Sequence, residues 1–200
     1  MQGIYTVTED SLSSSLAARL VGESGKFEIA TQINCGGAGQ IKAKLPELTR
    51  LAHAIPVLIL TDLDQLDCPP VMRQRWLTGH EPGGLLFRIA VRESESWLLA
   101  DRDAMAEFAS IPISKLNIAP DDLSDPKQFL LNLIRKYSPK HLQEKILPER
   151  RSKSKVGLGY NVVLTHYVME QWSPKRASER SDSLARARRS LAQLLEESSF

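Results

Sequence analysis

The sequence predicts an α/β fold built around a parallel β-sheet. Across roughly the first 95 residues, short apolar segments typical of strands alternate with segments that have the apolar spacing of helices. The strongest strand signal, Pro56–Leu60, is continuously apolar rather than alternating, which is typical of a strand covered on both faces. Strands and helices in strict alternation favour parallel strands joined by helical crossovers.

The front of the chain is predicted to hold four strands with helices between them. The strands are expected at Ile4–Thr8, Lys26–Asn34, Pro56–Leu60 and Leu85–Val91. The helices are expected at Ser11–Val21, at Ile41–Leu51 and in the segment that begins at Pro69. Because Pro46 lies within the second helix, that helix is expected to kink or to begin late. The glycine-rich turn before it, Cys35–Gly39, is either a flexible connection or a phosphate cradle.

The back of the chain is predicted to be helical and basic. Helix starts are indicated at Asp125-Pro126, Ser138-Pro139 and Ser173-Pro174, and a regular helix at Leu184–Leu195. Residues 135–189 hold 14 Lys and Arg against 5 Asp and Glu, whereas residues 1–134 hold 12 against 17. We therefore expect an α/β metal-binding domain at residues 1–100 and a helical basic portion at residues 101–200 packed on it. The charge division favours a cation site beside a polyanion surface, or two solvated faces.

Composition excludes several classes of protein. The longest apolar run, Ile55–Leu60, is far shorter than the ~20 residues of a membrane span. Cys35 and Cys68 do not form a metal-binding or disulfide pattern. The first residues lack the basic and apolar regions of a secretory signal. The expected location is the cytoplasm, without membrane contact.

Acidic residues follow three of the four predicted strands. Glu9 follows the first strand, Asp62 and Asp64 follow the third, and Glu93 and Glu95 follow the fourth. The carboxyl ends of parallel strands meet at one edge of a sheet, where ligands bind. Asp62 and Asp64 are expected to point to the same side, because alternate residues of an extended chain do so. Oxygen ligands of this kind suit Mg²⁺, so the pattern predicts a divalent-metal site, with helix caps and loop acids as the alternative.

A second segment has the composition of a nucleic-acid contact. Its lysines supply positive charge, its glycines permit close approach of the backbone, and its tyrosine is suited to stacking on a base. The alternative is a basic linker whose glycines break one helix and whose Asn161 caps the next. The candidate residues are Lys153, Lys155, Gly157, Gly159, Tyr160 and Asn161.

The chain resembles proteins with the Toprim fold, which include topoisomerases, bacterial primases and overcoming-lysogenisation-defect nucleases. The resemblance lies in a Glu after the first strand and an Asp-x-Asp motif after the third. The chain is most similar to a Toprim-like family of uncharacterised bacterial proteins. The resemblance spans most of the chain and is carried by Ile4–Asp10, Val57–Gln65, Ala90–Asp101, Gly157–Asn161 and Ser181–Leu184.

The resemblance implies roles for the acidic residues. Glu9 matches the Toprim glutamate that serves as general acid/base or metal ligand, and Asp62 and Asp64 match the metal-binding pair. Glu95, with Asp101 after it, matches a further acidic motif of the family. This sequence has Thr-Glu-Asp where a glycine usually flanks the glutamate.

The function predicted from these residues is Mg²⁺- or Mn²⁺-dependent cleavage of nucleic-acid phosphodiesters. In this reading Glu9, Asp62, Asp64 and Glu95 are catalytic, and Glu93 joins them as a metal ligand. The resemblance implies a phage-defence or mobile-element setting and a separate ATPase partner, because the chain has no nucleotide-hydrolysis motif. The alternative is a non-catalytic Toprim-shaped subunit that binds an ATPase or nucleic acid.

Overall fold

The fold is α/β, as the sequence predicts, and its centre is a four-stranded sheet in which all strands are parallel. The structure is a computed structural model that describes residues 1–194, so the last residue of the predicted helix Leu184–Leu195 lies outside the described residues. The strand order is β2-β1-β3-β4, which makes β2 and β4 the edge strands. The strands are β1 (Gln2–Thr8), β2 (Phe27–Asn34), β3 (Val57–Asp62) and β4 (Leu85–Ala90).

Helices connect the strands and make up most of the chain after β4. The connecting helices are α1 (Ser11–Ser24), α2 (Ala38–Leu51) and α3 (Pro69–Trp76). The later helices are α4 (Ser94–Ala100), α5 (Arg102–Ala109), α6 (Pro126–Tyr137), α7 (Lys140–Ile146), α8 (Tyr160–Glu170), α9 (Pro174–Ala177) and α10 (Asp182–Gln193). Two short 3-10 turns lie at Ile113–Lys115 and Pro120–Asp122.

Of the two effects expected of Pro46, a kink or a late start, the structure contradicts the late start. The helix α2 already begins at Ala38, and Pro46 lies inside it. The start is set by the glycines instead: Gly36 and Gly37 have φ values of 76° and 133°, which end β2 and turn the chain into the helix.

Each face of the sheet has its own apolar core. On one face, Val57 and Ile59 of β3 pack with Ile41 of α2 and Met72 of α3. On the other face, alternate strand residues such as Leu58 and Leu60 pack with α1 and with the helices of the second half. The second core continues from Ile4 to Leu194 and so includes both halves of the chain. The boundary at residue 100 stays a prediction.

Two tryptophans and an ion pair fix α4 against the last helices. The Trp172 indole donates to the backbone oxygen of Trp97 at 2.9 Å, and both tryptophans are fully buried. The carboxylate of Asp101, also fully buried, accepts two hydrogen bonds from the guanidinium of Arg176, at 2.9 and 2.8 Å. Asp101 therefore holds helices together and is not directed to the acidic edge.

Within residues 1–194 no helix has the length and apolar composition needed to cross a membrane.

Candidate functional site

The acidic residues lie at the carboxyl ends of β1, β3 and β4. Glu9 directly follows β1, and Asp62 is the last residue of β3. Glu93 is at the N-cap position of α4, where its side chain makes no capping hydrogen bond, and Glu95 lies in the first turn. The connection after β1 is tight because Asp10 caps α1 by accepting from the Ser13 N–H at 2.8 Å.

Glu9 is tied to the neighbouring strand through one of its two carboxylate oxygens. Oε1 of Glu9 accepts from the hydroxyl of Thr61 at 2.6 Å and from the backbone N–H of Asp62 at 2.8 Å. Thr61 is fully buried, so this contact positions Glu9 rigidly over the end of β3. No hydrogen bond within residues 1–194 engages the other oxygen, Oε2.

Asp62 is held in the same manner by the start of α4. Its Oδ1 accepts from the backbone N–H of Ser94 at 2.9 Å and from the Ser94 hydroxyl at 2.7 Å. Burial raises the pKa of Asp62 well above its usual range, and the charges of Glu95 and Glu9 raise it further. The Ser94 hydrogen bond and Lys127 act in the opposite direction without cancelling this effect.

Glu95 is the most deeply buried carboxylate of the site. Only 2% of the residue is exposed, and its Oε1 accepts from the hydroxyl of Tyr160 at 2.6 Å. Its other oxygen, Oε2, is buried and has no hydrogen-bond partner among the described residues. Burial raises the pKa of Glu95, although Lys127 and the Tyr160 hydrogen bond partly offset the increase. A buried carboxylate oxygen without a partner is costly unless a ligand or a cation completes it.

Lys127, at the start of α6, places a positive charge among these carboxylates. Its Nζ lies 3.5 Å from Oε1 of Glu93 and 3.6 Å from Oε1 of Glu95. Its backbone N–H also donates to Oε2 of Glu93 at 3.0 Å. Burial alone lowers the pKa of Lys127, but Glu95, Glu93 and Asp62 outweigh burial and raise it above its usual range. Lys127 therefore remains charged and partly neutralises the site.

Sequence reasoning missed Lys127, although one signal pointed to it. Lys127 follows Pro126 in the first turn of α6, where the helix dipole disfavours a positive side chain. A lysine at such a position indicates that carboxylates lie nearby.

Asp64 does not share the environment of Asp62. Its backbone has a φ of 53°, so the chain is no longer extended there and the alternation expected from strand geometry does not apply. The Asp64 side chain is exposed, and within residues 1–194 no hydrogen bond or ion pair engages it. The structure thus brings Glu9, Asp62, Glu93 and Glu95 together and leaves the Asp64 side chain exposed.

The arrangement suits a hard cation with few protein ligands. Glu9, Asp62 and Glu95 each use one oxygen in hydrogen bonds to the protein and keep a second oxygen that no described residue bonds. Within residues 1–194, however, no three His, Cys, Asp or Glu side chains are grouped so that they could hold a metal ion. Mg²⁺ commonly binds one or two carboxylates and takes its other ligands from water and phosphate. The donor set fits that mode of binding and not a closed protein cage.

The glycine-rich turn after β2 lies next to Glu9. The backbone N–H of Gly36 donates to the backbone oxygen of Glu9 at 2.8 Å. Gly36, Gly37 and Asn161 line a depression of about 410 Å³ together with Glu9. Asn161, a predicted nucleic-acid contact, therefore lies in the same depression as Glu9.

The glycines of the predicted nucleic-acid segment have a packing role. The backbone N–H of Gly157 donates to the Ile146 oxygen at 2.8 Å, and that of Gly159 donates to the Lys145 oxygen at 3.0 Å. A Cβ atom at Gly157 would lie only 2.5 Å from the Lys145 oxygen. Glycine is thus required because this loop crosses the end of α7 at close range.

The tyrosine of this segment is not placed for its predicted role of stacking on a base. The lysines are exposed, as a contact with nucleic acid would require. Tyr160 is 3% exposed and donates to Glu95, so its ring is not available to stack on a base. Lys153 and Lys155 are exposed and make no ion pair within residues 1–194. The segment thus contributes Tyr160 to the acidic site and Asn161 to the depression beside Glu9. Lys153 and Lys155 add two exposed positive charges a few residues earlier in the chain.

The fold and the site define an α/β protein with an acidic, lysine-containing edge. The chain belongs to a family described as a domain of unknown function (DUF4276), which matches residues 7–171. The match extends from β1 to the end of α8 and includes every acidic residue described above. No curated protein and no solved structure matches the chain.

Proposed function

We propose that this protein is a Mg²⁺- or Mn²⁺-dependent nuclease related to the Toprim nucleases. One observation carries the proposal: three carboxylates from successive sheet ends are each fixed by one oxygen and present a second oxygen that the described protein groups leave unbonded. One or two of these oxygens would suffice for Mg²⁺, because waters and phosphate oxygens would complete its coordination.

The residues divide into ligands and partners that position them. Asp62 and Glu95 would hold the cation, with Glu9 beside them and Glu93 and Asp64 at the rim. Mg²⁺ held there would supply positive charge to the scissile phosphate and would make water a stronger nucleophile. Glu9 is placed to accept or return a proton, since its second oxygen has no partner among residues 1–194. Lys127 limits repulsion between the carboxylates before substrate binds.

The polyanion is proposed to approach over the basic second half of the chain. Lys153 and Lys155 supply exposed positive charge, and Asn161 lines the depression beside Glu9. A cytoplasmic phage-defence or mobile-element setting, with a separate ATPase partner, belongs to this proposal through the Toprim resemblance alone.

Cleavage assays test the proposal directly. Plasmid, single-stranded DNA and tRNA are incubated with the protein in Mn²⁺, in Mg²⁺ and in chelator. We expect metal-dependent cleavage that falls at least 100-fold in Asp62→Asn and Glu95→Gln. The matched control is Glu47→Gln, which changes an exposed carboxylate of α2 on the other face of the sheet. Cleavage that persists in chelator or in both site variants would contradict the proposal.

A non-catalytic binding subunit is the second candidate. It is favoured by Lys127, which already supplies a positive charge to Glu93 and Glu95 without a metal. A protein of this kind would bind nucleic acid or an ATPase and leave phosphodiesters intact under every metal condition. The same assays, combined with gel-shift measurements, separate the two functions.

A further inference from the structure

A second cavity lies along the open edge of β4. Its volume is about 600 Å³, within the range of small-molecule sites. It is bounded by α3 on one side, and by the 3-10 turn Pro120–Asp122 and α10 on the other. None of the acidic-site residues Glu9, Asp62, Glu93 and Glu95 lines it.

The edge of β4 contributes backbone groups to this cavity. The carbonyls of Gly84 and Ala90 accept hydrogen bonds from Val57 and Leu63, so the even-numbered residues of β4 pair with β3. The odd-numbered residues, among them Phe87 and Ile89, therefore direct their N–H and C=O groups to the open edge. Arg73 of α3 donates to the Phe87 oxygen at 2.8 Å, and its guanidinium also pairs with Glu81.

Arg88 supplies an unpartnered positive charge to the cavity. Its Nε is buried and has no hydrogen-bond partner among residues 1–194, and no ion pair there includes its guanidinium. Burial and the neighbouring charge of Arg73 lower the pKa of Arg88 to about 10, so the group is still protonated at neutral pH. A partly buried guanidinium without an acidic partner is expected to bind an anion, and its planar fork matches phosphate.

Asp121 supplies an unpartnered acceptor to the same cavity. One of its oxygens, Oδ2, accepts from the backbone N–H of Ser183 at 3.0 Å. The other, Oδ1, is buried and lacks a partner among the described residues. A carboxylate oxygen so placed suits the hydroxyls of a ribose or an N–H of a base.

The rest of the lining is mixed. Pro69 and Pro70 at the start of α3, with Phe87, Ile89 and Val91, form its apolar part. Asp122, Asp182, Ser183 and Arg186 form its polar part, in which Arg186 pairs with Asp182. The cavity thus combines an unpaired guanidinium, an unpaired carboxylate oxygen and some apolar surface, which are the complements of a phosphate, a sugar or base donor, and an aromatic ring.

We infer that this cavity binds a nucleoside monophosphate, with the phosphate at Arg88 and Arg73 and the nucleoside donors at Asp121. The site is separate from the proposed nuclease centre and does not require it.

Calorimetric titration of the full chain with AMP, GMP, CMP and UMP tests the inference. We expect at least one nucleotide to bind with a Kd in the micromolar range, and adenosine-type nucleosides and inorganic phosphate to bind at least tenfold more weakly. Arg88→Met should weaken nucleotide binding at least tenfold. Arg75→Gln, which changes an exposed arginine of α3 outside the cavity, should leave it unchanged.

Two further variants allow the inference to be tested even if Arg88→Met does not fold. Asp121→Asn should weaken binding of the preferred nucleotide while leaving the weak binding of inorganic phosphate unchanged. Asp62→Asn should retain full nucleotide binding, so the result stands apart from that of the cleavage assay. Absence of binding for all four nucleotides, or undiminished binding in both cavity variants, would overturn the inference.

Discussion

At the scale of single residues, the carboxylates of the site repel one another, and their hydrogen bonds offset only part of that unfavourable energy. Asp62, Glu9 and Glu95 interact as like charges, and Lys127 is the nearby positive charge that opposes them. Each carboxylate is nonetheless oriented by donors from a different element. The protein therefore gives up stability to keep a defined set of oxygens in place.

The first prediction concerns Asp62→Asn in the absence of metal. The pKa of Asp62 is higher in the folded than in the unfolded chain, so the wild type loses stability as the pH rises from about 4 through the folded pKa. The asparagine does not titrate and can still accept from Ser94. The variant and the wild type should therefore have equal folding stability at low pH. As the pH rises, the variant should become more stable than the wild type, by about 2–4 °C in Tm for each kcal/mol of difference.

Thermal melts from pH 4.5 to 8, with and without Mn²⁺, measure this effect. Wild type should gain stability from Mn²⁺ by mass action, and the variant should gain less. A variant that melts several degrees below wild type at pH 7.5, with no Mn²⁺ effect on either protein, would identify Asp62 as a structural cap.

The second prediction concerns Tyr160→Phe. The change removes the only hydroxyl donor to the buried Glu95 carboxylate among the described residues. Hydrogen bonds to charged groups contribute about 1.5–3 kcal/mol, so urea unfolding should show a loss of that order. Tyr137→Phe is the matched control, because no hydrogen bond within residues 1–194 engages the Tyr137 hydroxyl. Equal stability of the two variants would show that Tyr160 does not support Glu95.

At the scale of elements, the sequence predicted segments with clear periodicity and missed those without it. The four strands all begin and end within two residues of their predicted bounds. The helix α4 was missed because every one of its residues is buried, so no alternation of apolar and polar faces marks it. Long-range partners such as Lys127 and Tyr160 were missed because only the packing of α6 and α8 brings them to the sheet edge.

The third prediction tests the close crossing of the Gly157 loop over α7. In Gly157→Ala the new Cβ would meet backbone oxygens at 2.5 and 2.6 Å, which are too close to be relieved by a side-chain rotation. The unfolding free energy should fall by about 1–3 kcal/mol. Gly22→Ala, at an exposed position of α1 with no atom within 4 Å of the new Cβ, should instead be neutral or stabilising by about 0.5–1 kcal/mol. If Gly22→Ala destabilised the protein more than Gly157→Ala, the loop at Gly157 would not be closely packed on α7.

At the scale of the whole molecule, both halves of the chain build one face of the sheet. The core on the α1 face includes residues of β1 and β3 together with residues of α6, α8 and α10. The acidic edge and the basic second half are therefore parts of one packed structure. Charge counting predicted the asymmetry, whereas the shared core depends on tertiary contacts that composition does not encode.

The fourth prediction tests the basic segment as a nucleic-acid contact. Each phosphate contact contributes about 0.9 to the slope of log affinity against log salt on duplex DNA. The double variant Lys153→Gln/Lys155→Gln should therefore bind more weakly, with a slope smaller by about 2. Lys115→Gln/Lys140→Gln, which removes two other exposed lysines, is the control. Fluorescence anisotropy across a salt series measures the nucleic-acid affinity of both double variants. An unchanged slope for Lys153→Gln/Lys155→Gln would show that this segment does not contact the phosphates.

The hydrogen bond between Tyr160 and Glu95 has a consequence for the order in which the protein is made. The two residues are 65 positions apart, and Lys127 lies between them in the chain. A ribosome-bound chain that ends before α8 carries Glu9, Asp62, Glu93 and Glu95 but lacks the Tyr160 hydroxyl that orients Glu95. The proposed site would therefore be complete only after α8 has been synthesised and Tyr160 has reached Glu95.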